Sequence, residues 1–102
     1  MKPVLRSPQA RAEIEDALDY YQLEAPHMAN AFLDALDKAV THIQRAPGTG
    51  SPRNAQELGL SGLSFWGLNK FPFSLFYIEQ ADQLWVIRLV HISREIPASL
   101  QD

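Results

Sequence analysis

Hydrophobic positions in this chain follow two different periods, and the change of period divides it. From Ala10 to Tyr21 apolar residues recur at helical spacing, as Ala10, Ile14, Ala17, Leu18 and Tyr21. Ser7 and Pro8 precede them, an N-cap followed by proline at the first helical position. This first helix is expected to end near Leu23, because Pro26 disfavours helical geometry at Ala25. A second stripe, which includes Met28, Phe32, Leu36, Val40 and Ile43, predicts another helix from Pro26 to Ala46, before Pro47. The short connection makes the two helices an antiparallel hairpin, each with an apolar stripe and a charged back.

Downstream the helical period disappears. Phe73 to Glu79 and Leu84 to His91 are rich in aromatic and branched residues, and Gln80 to Gln83 supply a polar turn, which predicts a β-hairpin. Both strands are apolar on both faces except at a few places, so one face is expected to be covered and the other only partly wet. Leu63 to Asn69, with Phe65 and Trp66, predicts a strand before the hairpin, and Lys2 to Arg6 a short edge strand. Pro47 to Pro52 is a loop by composition, and Arg53 to Gly62 is irregular, with one helical turn around Gln56 to Leu58. The order β, α, α, β, β, β predicts an α+β fold: an N-terminal strand and a helical hairpin packed on a largely antiparallel four-stranded sheet. One domain spanning 1–102 is expected.

Composition narrows the function. With 46% hydrophobic and 21% charged residues the chain is expected to fold as a globular domain. It has no cysteine, so disulfide and thiolate chemistry are excluded. The opening MKPVLRSPQAR has no apolar signal-like run, no apolar run approaches the ~20 residues that span a bilayer, and a cytoplasmic location is expected. The net charge is −3, the wrong sign for a protein that binds by neutralising many phosphates. Charge is spread evenly: residues 1–46 hold five basic and seven acidic side chains, the remainder four and five.

The polar exceptions in the apolar hairpin, Ser74, Arg88 and His91, with Ser93 and Arg94 just after it, mark where chemistry belongs. His91 ends a strand and has the unperturbed pKa of a general acid or base, but it could equally cap the sheet through a hydrogen bond. Arg88 is expected to reach the sheet rim or to pair with a carboxylate such as Glu79. The helical carboxylates, among them Glu13, Glu15, Asp16 and Asp34, are read as a solvated face. His27 and His42 are read as surface residues at helix ends. None of the three histidines has metal-ligand spacing, and no metal or cofactor is expected. Ser74 and Ser93 lack a Gly-x-Ser-x-Gly context, so no nucleophilic triad is supported. Gly48 and Gly50 make a weak phosphate cradle, without a preceding strand or a Gly-Lys-Ser/Thr ending.

Several of these pieces occur together in one order: Ser-Pro-x-Ala-x-x-Glu at Ser7 to Glu13, Tyr20 and Tyr21, Ala31 Phe32 Leu33 with Leu36, and Ala46 Pro47 followed by Gly50 to Arg53. Phe71 Pro72 Phe73, Leu75 Phe76 Tyr77 and Ile87 to His91 with Arg94 complete the set. From Val4 to about Ile96 the chain resembles the RelE/ParE toxin superfamily, and within it the ParE branch. The resemblance implies a type II toxin neutralised by a cognate ParD-like antitoxin. ParE-like members inhibit DNA gyrase by binding and trap its complex with broken DNA, whereas RelE-like members cleave messenger RNA on the ribosome.

RNA cleavage needs positive charge to hold a phosphate and a positioned acid and base. Ser74 stands where ribonuclease members usually carry a basic residue, no tyrosine follows Tyr77, and the balance of charge is acidic. A non-enzymatic gyrase inhibitor is therefore expected, without strong direct binding of nucleic acid. The alternatives are a RelE-like endoribonuclease using Arg88, His91 and Arg94, and a non-toxic relative that only binds antitoxin. Candidate contacts with target or antitoxin are Phe65, Trp66, Lys70, Arg88, His91 and Arg94, while Phe32, Leu36 and Ile43 are read as core. An apolar groove of such a fold would let a partly disordered antitoxin fold onto it as an amphipathic helix with an added strand.

Overall fold

The computed structural model of the chain describes residues 2–49 and 63–92. Strand β1 (Val4–Arg6) leads into helix α1 (Pro8–Glu24), helix α2 (Pro26–Arg45) and a 3-10 turn at Pro47–Thr49. Strands β2 (Leu63–Gly67), β3 (Phe73–Glu79) and β4 (Leu84–His91) follow. They form a mixed four-stranded sheet in the order β1-β4-β3-β2, with β1 parallel to β4 and the other pairs antiparallel. The expected helical turn at Gln56 to Leu58 lies outside the described residues.

Local chemistry places the helix boundaries where the sequence does. Ser7 is extended, and its Oγ accepts a hydrogen bond from Ala10 N at 2.9 Å while Pro8 opens α1. Ala25 N donates to Tyr21 O and closes α1, and Pro26 then starts α2. Strand β2 stops at Gly67, two residues before the expected Asn69, because the chain turns there: Leu68 N bonds back to Phe73 O, and Lys70 adopts the left-handed region with φ 69°.

The helices cover one face of the sheet. Phe32 and Ile43 are fully buried and Leu36 nearly so, as expected, against Leu75, Tyr77, Leu84, Val86 and Leu89. Tyr21, Phe32, Phe71 and Phe73 form a ring cluster with centroids 5.4 to 5.8 Å apart, mostly edge to face. Tyr77 Oη, within the core, donates to Pro47 O at 2.6 Å and ties down the end of α2. The other face carries a second apolar cluster built on Leu63, Phe76 and Val90, with Phe65, Ile78 and Ile87 packed against it.

Strict alternation along β4 would put Leu84, Val86 and Arg88 on one face and Leu89 on the other. The register shifts instead: Tyr77 faces Val86 and Phe76 faces Arg88, so Ile87 is one residue too many. This bulge restores Leu89 to the helix side and sends Val90 to the other.

Candidate functional site

Strand β1 covers β4 only from Leu84 to Val86, which leaves the rest of that β4 edge to be satisfied otherwise. The first turns of α1 do this. Ser7 N donates to Val86 O at 2.8 Å and Ser7 Oγ donates to Ile87 O at 2.7 Å. Leu89 N donates to Glu13 Oε1 at 3.0 Å, and Arg88 Nε and Nη2 both donate to Glu13 Oε2, the former at 3.1 Å. Ala10, fully buried between Ser7 and Glu13, lets the helix approach this closely.

Two expectations are corrected here. Arg88 pairs with Glu13 rather than Glu79, whose carboxylate bonds Lys2 Nζ at 2.8 Å, because the first turns of α1 run along the β4 edge beside Arg88. Glu13 is not part of a solvated face: its side chain is 16% exposed, since it substitutes for a missing strand partner.

His91 ends β4 opposite Phe73 and lies edge to face on that ring at 5.2 Å, half-buried. Ser74, across from Val90, is buried. Arg94 and Ser93 lie outside the described residues. The His91 end thus contains an imidazole against an aromatic ring and an arginine already engaged by a carboxylate.

Trp66 and Lys70 lie elsewhere, along a groove between α2 and β2. The Trp66 indole is half-buried and stacks on His42 with centroids 4.0 Å apart and planes 17° from parallel. His42 is therefore an aromatic partner of β2 and not the surface residue expected. A hollow of about 390 Å³ lies against this pair, bordered also by Ala35, Ala39 and Asn69, and another of about 220 Å³ is bordered by Ala31, Asp34, Lys70 and Phe71. A third, of about 370 Å³, continues along α2 past Thr41 and Arg45. Lys38 borders all three. Phe65 points away from this groove, into the second apolar cluster, stacked on Phe76 at 5.4 Å.

Lys38, His42 and Asn69 were not singled out from sequence. Asp34, Lys38, His42 and Arg45 do stand at three- and four-residue spacing, so the stripe was visible, but not that β2 lay beside it. At the far end of the helical hairpin, burial among the rings raises the Tyr21 phenol above its ordinary value of 10.0, and the neighbouring Tyr20 adds to this. Among the described residues no three His, Asp or Glu side chains gather to hold a metal ion, and no helix is long and apolar enough to cross a membrane.

The family model for "ParE toxin of type II toxin-antitoxin system, parDE" matches residues 4–96. A solved structure described as "Chromosomal ParDE TA system from P. aeruginosa" is similar, with a TM-score of 0.74 and 18% identity over 91% of this chain and 98% of that one. At that identity the likeness concerns the fold. No curated protein matches the chain.

Proposed function

From the premise that this chain belongs to the ParE toxin family of type II toxin-antitoxin systems, we propose that it inhibits DNA gyrase by binding, and that a cognate ParD-like antitoxin neutralises it. The observation that carries this reading is the Arg88–Glu13 pair. A ribonuclease centre on β4 would need a cation turned to the scissile phosphate. Here the strand's arginine is held through Nε and Nη2 by a carboxylate that Leu89 N–H fixes in place, so freeing the arginine would break both of its bonds to Glu13. An acidic chain with its β4 cation neutralised is suited to recognising a protein surface rather than to cutting RNA.

The test is a gyrase supercoiling and cleavage assay with toxin freed of antitoxin, run beside messenger cleavage on ribosomes at the same dose. Inhibited supercoiling with accumulated DNA breaks and intact messenger is the expected result. Cut messenger with unaffected gyrase would replace this reading by the endoribonuclease one, with Arg88, His91 and Arg94 as its centre.

A further inference from the structure

Helix α1 is apolar on two sides. Ala10, Ile14 and Ala17 are buried in the core, yet Tyr20 and Leu23 in its second half are 56% and 82% exposed and belong to neither apolar cluster. Core packing therefore accounts for neither side chain. At three- and four-residue spacing they share one stripe with Asp16, Asp19 and Glu24. Tyr20 is held in place: its ring meets that of Tyr21 edge to face at 5.4 Å, and Tyr21 packs in turn on Phe32 and Phe71. An anchor ordered beforehand loses less freedom when a partner binds.

The charge of this stripe runs against what the helix alone would favour. From Ala12 to Glu24, α1 carries five carboxylates and no basic residue, and the two ion pairs among the described residues involve only Glu13 of the five. A helix C-terminus favours cations. The last turn of α2 supplies His42 and Arg45, whereas that of α1 has no base and ends on Glu24. Folding thus gains nothing from the carboxylates at that end or from a leucine in solvent, whereas a cationic partner with an apolar recess would use both. A protein that holds DNA presents a cationic surface, because it neutralises phosphates with lysine and arginine. We propose that the stripe from Asp16 to Glu24 is where this chain docks on its target. Tyr20 and Leu23 sit in an apolar recess, and Asp16, Asp19 and Glu24 face lysines and arginines at its rim. The inference rests on the reading of the target as gyrase, a DNA-holding enzyme, and adds to it the toxin's contact surface.

The test measures binding of the full chain, freed of antitoxin, to immobilised gyrase, together with inhibition of supercoiling. Asp19→Lys combined with Glu24→Lys places cations at the end of α1 where the helix dipole favours them, so the melting temperature is expected to hold or rise. Binding to gyrase is nevertheless expected to weaken at least about tenfold, and inhibition with it. Leu23→Ser, at a position 82% exposed, is expected to weaken binding about tenfold at an unchanged melting temperature. On the unsubstituted chain, carbodiimide labelling of Asp16 and Asp19 is expected to be blocked in the complex, a readout that needs no variant. If the unsubstituted chain binds gyrase and either variant binds as tightly, or if those carboxylates stay open to labelling, the docking stripe is overturned while the gyrase reading stands. If the unsubstituted chain neither binds nor inhibits gyrase, that reading fails and the inference fails with it.

Discussion

At the residue scale, Glu13 shows how one side chain can have two duties that its sequence context conceals. It lies three residues beyond Ala10 on α1, which from the helical pattern reads as a position beside the apolar stripe. In the fold it accepts from Leu89 N and from Arg88, replacing the strand partner that β1 is too short to supply. Glu13→Ala leaves an N–H and a part-buried guanidinium unsatisfied and is expected to cost about 1–3 kcal/mol in urea unfolding. Glu13→Gln keeps an acceptor for Leu89 N and is expected to cost less than half as much; equal losses would mean that charge alone matters. Lys70 is a different case, the one non-glycine residue with positive φ among those described. Lys70→Gly is expected to relieve strain and raise stability by up to about 1 kcal/mol in thermal unfolding. Unchanged or lowered stability would show that the turn is not strained.

At the element scale, the seam between α1 and β4 explains why Ser-Pro-x-Ala-x-x-Glu stands where it does. Ser7 caps the helix and bonds Ile87 O, Pro8 starts the helix, Ala10 permits contact, and Glu13 completes the edge. Ser7→Ala removes both hydroxyl bonds and is expected to cost about 1–2 kcal/mol, read as a shift in the denaturation midpoint; a loss within error would show that water replaces them. The ring cluster that joins the hairpin's α1 and α2 to Phe71 and Phe73 carries a pH dependence. Burial raises the Tyr21 pKa in the folded chain, so the folded state holds that proton to higher pH than the unfolded state. The contribution of this group is full below pH 10.0 and declines as pH rises through that value toward the folded pKa. Alkaline melting curves should therefore fall less steeply for Tyr21→Phe than for the unsubstituted chain. Parallel curves would assign the alkaline loss to other groups. The bounds of β3 and β4 agree with the residue composition and turn chemistry residue for residue, whereas the bulge at Ile87 left no mark in the sequence, because a strand apolar on both faces reads the same in either register.

At the scale of the whole molecule, the toxin reading makes the His91 end and the α2 groove separable. If the chain acts by binding, His91→Ala is expected to leave inhibition of supercoiling intact, since binding asks no proton transfer of the imidazole that rests against Phe73. Abolished toxicity in a variant that still folds and still binds antitoxin would argue for a catalytic histidine. The sequence by itself determined the α+β class, the element order, the helix caps and most of the core, because each depends on local spacing: a stripe every three to four residues, an apolar run, a proline or a turn. It also carried the family, whose motifs are distributed over residues 4–96. Only the tertiary structure decided that Arg88 belongs to Glu13, that His42 stacks on Trp66, and that among the described residues β2 ends the sheet beside a hollow bordered by Lys38. Those outcomes depend on which strand lies beside which helix and on one extra residue in β4, and long-range pairings of that kind have no periodic signature along the chain.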